Sequence, residues 1–330
     1  MFENIDFEVT GQTPSLEHYR REWVPADGAA LGGIWVGAMV RDESGEDYWG
    51  VRGTDDFITG MTHVVSPICG FRKLHKGMDT DAAHLFGEYS TLDWFEPLQY
   101  VDDGERIQMT YWSGRIERDA KGFHWYDASG RWEIHGKTVS DIVITRVAAQ
   151  DGIDHDVYYR HELMHASGTI DGVEVSGCAH QDFAYGPPGM AYTELAIARH
   201  LQGMWVSWLH EFADGEVGGG SFWQGRNEIA FGPGYQVKNG VTTVHKDIVA
   251  KPGFNDAGRM VSLDATIGSD AYSFAFDSSG SPLHVFGPLT SSSLGKEPTR
   301  SWCWVEYAGG MLTPEILDMA MVPFQLVRGR

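Results

Sequence analysis

The sequence predicts an all-β, mostly antiparallel chain folded as two consecutive barrel-like units with a few short helices. Three observations carry that expectation. Short runs rich in Val, Ile, Tyr, Phe and Trp recur along the whole 330 residues. Asp-Gly and Asn-Gly pairs, the residues that two-residue hairpin turns require, fall between them, and Gly is abundant at 41 residues. Long stretches of helical periodicity are scarce.

The elements follow in order. SLEHYRREW (15–23) reads as a short helix, with Ser15 as cap and Leu16, Tyr19 and Trp23 on one side. GGIWVGAMVRDESGEDYWGVRG (32–53) reads as two strands joined by a polar turn. Further β-like runs continue to about residue 150, interrupted by a helical pattern in DTDAAHLFGEY (79–89). The polar patch AAQDGIDHD (148–156) is the expected boundary, giving an N-terminal β domain over 1–155 and a C-terminal one over 156–330. Strands then resume, and TPEILDMAM (313–321) closes the second unit as a helix, with Thr313 as cap and Pro314 at its first position.

Composition narrows the function. Hydrophobic residues make up 42%, so the chain is globular, and 12 Trp, 13 Tyr and 16 Phe exceed what a core of this size usually needs. A formal net charge of −21 repels phosphate backbones and anionic membrane surfaces, which excludes nucleic acid as a partner. Cys69, Cys178 and Cys303 lie far apart without CxxC spacing, against a disulfide framework or a structural zinc site. The opening MFENIDFEVTG has neither a basic nor an apolar leader region, and no apolar run approaches a membrane span. These features predict a cytoplasmic protein. No Gly-rich phosphate loop follows a strand, so no nucleotide cofactor is expected.

One stretch tests this reading. HELMHASGTID (161–171) contains His-Glu-x-x-His, which on a helix is the signature of a zinc hydrolase, with Asp171 in reach as a third ligand. Asp171-Gly172 is, however, a strong hairpin signal, and Val157, Tyr158 and Tyr159 precede the motif. On a strand rising about 3.3 Å per residue, His161 and His165 stand about 13 Å apart, too far for one ion with bonds of about 2 Å. The segment is therefore predicted to be a strand, and no metal site is expected.

A two-residue turn at Asp171-Gly172 fixes a register. His165 faces Cys178, Leu163 faces His180, and His161 faces Asp182. Those six side chains share one face. A solvated sheet face accounts for such polarity, but Leu163 and Cys178 in its middle also suit a ligand cavity. His180 and His161 are the expected proton-transfer groups, with Asp182 orienting His161 and raising its basicity. Tyr185 is placed at the rim as a hydrogen-bond donor. A second hairpin turns at Asp214-Gly215, with Trp208 and His210 on one side and Trp205, Leu209 and Glu211 on the other. The Gly218–Gly220 run fits close approach of a wide ligand or of another backbone, and equally a bend in a barrel. Residues expected to hold substrate are Tyr185, Trp208, His210, His165 and Trp223.

The string SGCAHQDFAYGP, followed by a Trp-rich strand ending in HEFADGE, resembles the carotenoid 1,2-hydratase family and its AttH-like relatives, a group that extends to lipocalin-like Diels–Alderases. The likeness covers mainly residues 157–225. It implies two consecutive lipocalin-like β-barrels and acid–base addition, elimination or cyclisation in a dry pocket without nucleotide or metal. His180 matches the family's histidine, while Asp182 stands where the hydratases carry Trp, which favours a substrate other than a carotenoid. The expected function is a cofactor-independent lyase or isomerase acting on a hydrophobic terpenoid, polyketide or aromatic compound. The alternatives are a non-catalytic hydrophobic-ligand binding protein and the zinc hydrolase.

Overall fold

The turn at Asp171 (φ 49°) and Gly172 (φ 81°) has both central residues in the left-handed region, as a type I′ hairpin turn demands. It joins the strands Val157–Ile170 and Val173–Gly186, which pair without a break from Ile170↔Val173 out to Tyr158↔Tyr185. The expected register therefore forms, with His161 opposite Asp182, Leu163 opposite His180 and His165 opposite Cys178. This computed structural model describes residues 5–55, 64–65, 71–76 and 98–308, apart from 113, 191, 228 and 280–283. The helices expected at 79–89 and 313–321 lie outside the described residues, as does Cys69.

The hairpin forms the middle of a 13-stranded sheet. Val173–Gly186 pairs with Ala30–Asp42, which pairs in turn with Asp47–Asp55. Val157–Ile170 is shared: its first half pairs with Ile142–Val147 and its second half with Trp132–Thr138. From Trp132–Thr138 a meander runs back through Gly122–Asp127, Gly114–Asp119, Ile107–Tyr111 and Gln99–Asp102. An eight-stranded sheet centres on Gln202–Glu211, flanked by Val217–Gly225 and Arg300–Tyr307. A four-stranded sheet of Val249–Phe254, Met260–Ile267, Asp270–Ala275 and Leu289–Ser292 completes the fold. All strand pairings among the described residues are antiparallel, so the all-β expectation holds.

The boundary expected at 155/156 does not coincide with a change of sheet. Residues 148–156 connect two strands that pair with each other, and their polarity serves that loop: Asp156 accepts hydrogen bonds from the Ala149 N–H (2.7 Å) and Arg146 Nε (2.9 Å). Apart from His75–Lys76, which pairs with Ser278–Ser279 of the second sheet, the chain passes from the first sheet to the second between Gly186 and Gln202. The short helix expected within 15–23 is present, with Ser15 at its cap. It forms a 3₁₀ turn, Leu16–Tyr19, braced by Ser15 Oγ against His18 Nδ1 at 2.8 Å.

Strand alternation sorts the side chains into layers. One face of the first sheet encloses Val36, Ala38, Trp125, Ile134, Met164 and Ala179. Its other face carries Met39, Tyr159, Leu163 and Cys178 and packs on Trp205, Leu209, Tyr235 and Trp304 of the second sheet. The far face of the second sheet, with Val206, Trp208 and Phe222, packs on Leu263, Tyr272 and Phe274 of the third. The Gly218–Gly220 run serves this packing: a Cβ on Gly220 would meet the Trp208 ring at 2.5 Å, and one on Gly218 would meet His210 Nε2 at 2.5 Å. Among the described residues no helix is long and apolar enough to cross a membrane.

Candidate active site

Two transverse rows of side chains face one another where the first and second sheets meet. Trp35, Asp182 and His161 are successive cross-strand partners in the first sheet. Trp223, Trp205, Glu306 and His284 are successive partners in the second. Directly opposed residues of neighbouring strands lie about 5 Å apart, so each row is a continuous wall. Between them lies a cavity of about 200 Å³, lined also by Val51, Tyr159, His180, Tyr192, Gln202 and Trp304. Tyr159 and His180 enter because each stands two residues from a row member on the same strand face. A bulge between Gln202 and Met204 brings Gln202 onto the face of Trp205.

Polar contacts organise around the two carboxyl groups. His180 Nε2 lies 3.4 Å from Asp182 Oδ2, and the Tyr159 hydroxyl donates to Asp182. His161 Nε2 is 3.6 Å from Asp182 Oδ1, too long for a hydrogen bond, and neither atom has another partner. His161 Nδ1 is held at 2.6 Å by the Tyr235 hydroxyl, and its ring stacks on that of His180 at 5.6 Å. Across the cavity, Gln202 Nε2 donates to Glu306 Oε1 at 2.5 Å and the Tyr192 hydroxyl donates to Gln202 Oε1 at 3.0 Å. Trp304 Nε1 donates to His284 Nδ1 at 3.0 Å.

Burial sets the charge state of these groups. Loss of solvation raises the Asp182 carboxyl well above the carboxylate range, a rise that Glu306 reinforces and the Tyr159 hydroxyl opposes. The same desolvation, with nearby His284, brings His180 down to about 3, and it brings His284 itself to about 3. His161 is likewise held well below the imidazole range by burial and by His180. Burial pushes Glu306 up to about 7, against the hydrogen bond from Gln202. Burial thus disfavours the charged form of both partners in the His180–Asp182 contact. The net shift of His161 runs opposite to the raised basicity expected, because desolvation and the neighbouring His180 dominate it. Among the described residues no Lys or Arg lines the cavity.

The residues singled out from sequence separate by strand face. His180, Asp182 and Trp223 line the cavity, and His161 lies behind the first two. His165 does not reach it; its Nε2 is 2.5 Å from Glu211 Oε1 at a partly exposed point between the sheets. Tyr185 lies on the opposite face of its strand, against Trp23 and 3.4 Å from Arg160 Nη1. Trp208 and His210 occupy the far face of the second sheet, where Trp208 packs on Tyr272 and Phe274. The glutamate of the His-Glu-x-x-His string, Glu162, also points away from both histidines. It accepts hydrogen bonds from Arg118 Nη2 (2.5 Å), the Tyr19 hydroxyl (2.6 Å) and the Thr138 hydroxyl (2.7 Å). The segment is a strand, so the geometry of a helical zinc motif does not form.

Tyr159, Gln202, Glu306 and His284 escaped the sequence reading. Tyr159 was within its reach, since it shares a strand face with His161. Glu306 carried a weaker signal, a lone acid at the end of the apolar run SWCWVEY. His284 is 22 residues from Glu306 and needed the pairing of their strands.

No protein-family model and no curated protein matches the sequence. Solved structures of similar arrangement exist at low identity. A "putative AttH" from Nitrosomonas europaea is 10% identical, with 84% of this chain and 92% of that one covered at a TM-score of 0.39. Kievitone hydratase from Nectria haematococca is also 10% identical, covering 93% of this chain and 98% of that one at a TM-score of 0.40. CghA in complex with Sch210972 is 9% identical, covering 91% and 97% at a TM-score of 0.38.

Proposed function

We propose that the cavity between the sheets is the active site of a cofactor-independent acid–base enzyme, a lyase or isomerase. Its substrate is an uncharged hydrophobic molecule of terpenoid, polyketide or aromatic type. One observation supports this above the others: the Asp182 carboxyl, whose burial favours its protonated form, stands 3.4 Å from the His180 imidazole in an aromatic-walled cavity. A buried acid that keeps its proton at neutral pH can donate it.

The chemistry that follows balances by proton transfer alone. Asp182 gives its proton to a substrate double bond or to a departing oxygen. Positive charge then develops on the substrate against the Trp205 and Trp304 rings, a contact worth about 0.5–2 kcal/mol when desolvated. Water adds and loses a proton to His180 or to ionised Glu306, or the substrate loses a neighbouring proton to the same base. The first course is hydration, and the second is elimination or isomerisation.

The test is incubation of the purified protein with prenylated phenols and with terpenoid alkenes and alcohols in D₂O, followed by mass spectrometry. Deuterium gained at carbon, or water gained or lost, is expected with the native chain and absent from Asp182→Asn and His180→Ala. Ligands that bind in the cavity and return without any exchange would instead favour the carrier reading.

A further inference from the structure

The hairpin formed by Gly122–Asp127 and Trp132–Thr138 carries a second group of chemically able side chains, remote from the cavity. Phe123, Trp125, Trp132 and Ile134 of this hairpin point into the first sheet's core. Strand alternation therefore turns His124, Tyr126, Glu133 and His135 outward. His124 and His135 are direct cross-strand partners, and Glu133 precedes His135 by two residues on the same face. Among the described residues, His124, Glu133 and His135 are the one trio of His, Cys, Asp or Glu whose ligand atoms all lie within 4.8 Å of one another.

We infer that His124, Glu133 and His135 form a surface binding site for a divalent transition-metal ion of the Zn²⁺ or Cu²⁺ class. The distances suit it. A tetrahedral ion with bonds of about 2.0–2.1 Å separates its ligand atoms by about 3.3 Å. Glu133 Oε1 stands 2.8 Å from His124 Nε2 and 3.5 Å from His135 Nε2, and turning the two stacked rings toward Glu133 would aim all three at one ion. Two imidazoles and one carboxylate are a donor set for borderline metals rather than for Mg²⁺ or Ca²⁺.

The surroundings hold the site open and in place. The His124 ring lies between the rings of Tyr126 at 3.6 Å and His135 at 3.7 Å, which limits its freedom before an ion arrives. Glu117, opposite His124 on the next strand, is engaged by Arg106 and Arg115 at 3.0 Å each and adds no fourth ligand. His124 and His135 border a depression of about 340 Å³ that includes Gly122 and Gly136, leaving the remaining coordination positions to water or a small ligand. Glu133 and His135 are about half exposed, so the ion keeps part of its hydration and need not enter the protein interior.

The test uses the full chain, stripped of metal and titrated with ZnSO₄ by calorimetry and with CuSO₄ by electron paramagnetic resonance. One ion per chain is expected, with nitrogen hyperfine structure from two imidazoles on copper. His124→Ala, His135→Ala and Glu133→Gln should each weaken binding by about 10-fold or more while circular dichroism stays unchanged. His165→Ala, which alters the other His–Glu contact, should leave it intact. Failure of the native chain to bind, or a His124→Ala/His135→Ala variant that binds equally well, would overturn the assignment. Because the trio is remote from the cavity, neither result bears on the acid–base reading.

Discussion

Gly37 lies directly opposite His180 in the first sheet, and a Cβ on Gly37 would come 2.6 Å from His180 Nε2 and 2.7 Å from the Trp304 ring. The missing side chain is thus the space that the imidazole occupies. His180 can lie flat across the strand and meet Asp182 only because position 37 is empty. Gly37→Ala should displace both the imidazole and the indole, costing about 1–3 kcal/mol of stability through overpacking. Chemical denaturation measures that cost. Turnover in the D₂O assay should fall further than stability does, since the His180–Asp182 distance is disturbed. An alanine variant with native turnover would show that His180 does not act from this position.

Asp182→Asn separates proton donation from packing. The side chain is buried and burial favours its protonated form, so the amide replaces a group of like size without stranding a charge. Stability should change by no more than about 1–2 kcal/mol, while turnover drops by roughly 10²–10⁴-fold, the contribution of one positioned acid. Thermal denaturation beside the exchange assay gives both numbers. Full activity in the asparagine variant would remove Asp182 from the chemistry.

The His-Glu-x-x-His string makes a further prediction. Among the described residues Glu162 is the carboxylate that pairs with Arg118, and the two are 1% and 0% exposed. Removing the charge of Glu162 leaves the Arg118 guanidinium buried beside the Tyr19 ring without an anion. Glu162→Gln should cost about 3–5 kcal/mol, as breaking a buried pair does. His165→Ala, in contrast, loses a partly exposed contact worth about 1 kcal/mol or less. A zinc hydrolase would show the opposite pattern, with Glu162→Gln stable but inactive. Denaturation curves for the two variants distinguish the cases.

These contrasts also mark what sequence could reveal. The hairpin was legible because its turn chemistry and its period of two are local: Asp171-Gly172 alone fixes which residues face Asp182. Its inward face was legible only in part. Trp208 and Trp205 are both tryptophans on one strand, and nothing local says that the first faces the third sheet and the second faces the cavity. The charge states were the least legible. Asp182 next to two histidines reads as a source of imidazolium, and only the depth at which two sheets bury all three shifts each toward its uncharged form. Glu306 and His284 needed the pairing of strands far apart along the chain.

Glu306 gives a prediction whose sign can be worked out. Its folded value is about 7, against 4.5 for the free side chain. Below pH 4.5 both folded and unfolded chains hold the proton, and Glu306 imposes no penalty. Between 4.5 and 7 the unfolded chain releases it while the folded chain keeps it, so the folded state binds more protons and stability falls as pH rises. Above 7 the loss is complete. The slope is at most about 1.4 kcal/mol per pH unit, lessened by water reaching the part-buried carboxyl through the cavity. Glu306→Gln keeps an acceptor for Gln202 Nε2 and removes the ionisation. The histidines, whose lowered values favour the folded chain at higher pH, remain in both proteins and cancel in the difference. Stability of the variant minus that of the native chain should therefore be flat below pH 4.5, climb between 4.5 and 7, and level off above. Denaturant titrations at half-unit steps from pH 4 to 8.5 measure it directly. A difference that stays level through this window would mean that Glu306 ionises like an exposed acid, and with it would go its role as a proton acceptor near neutral pH.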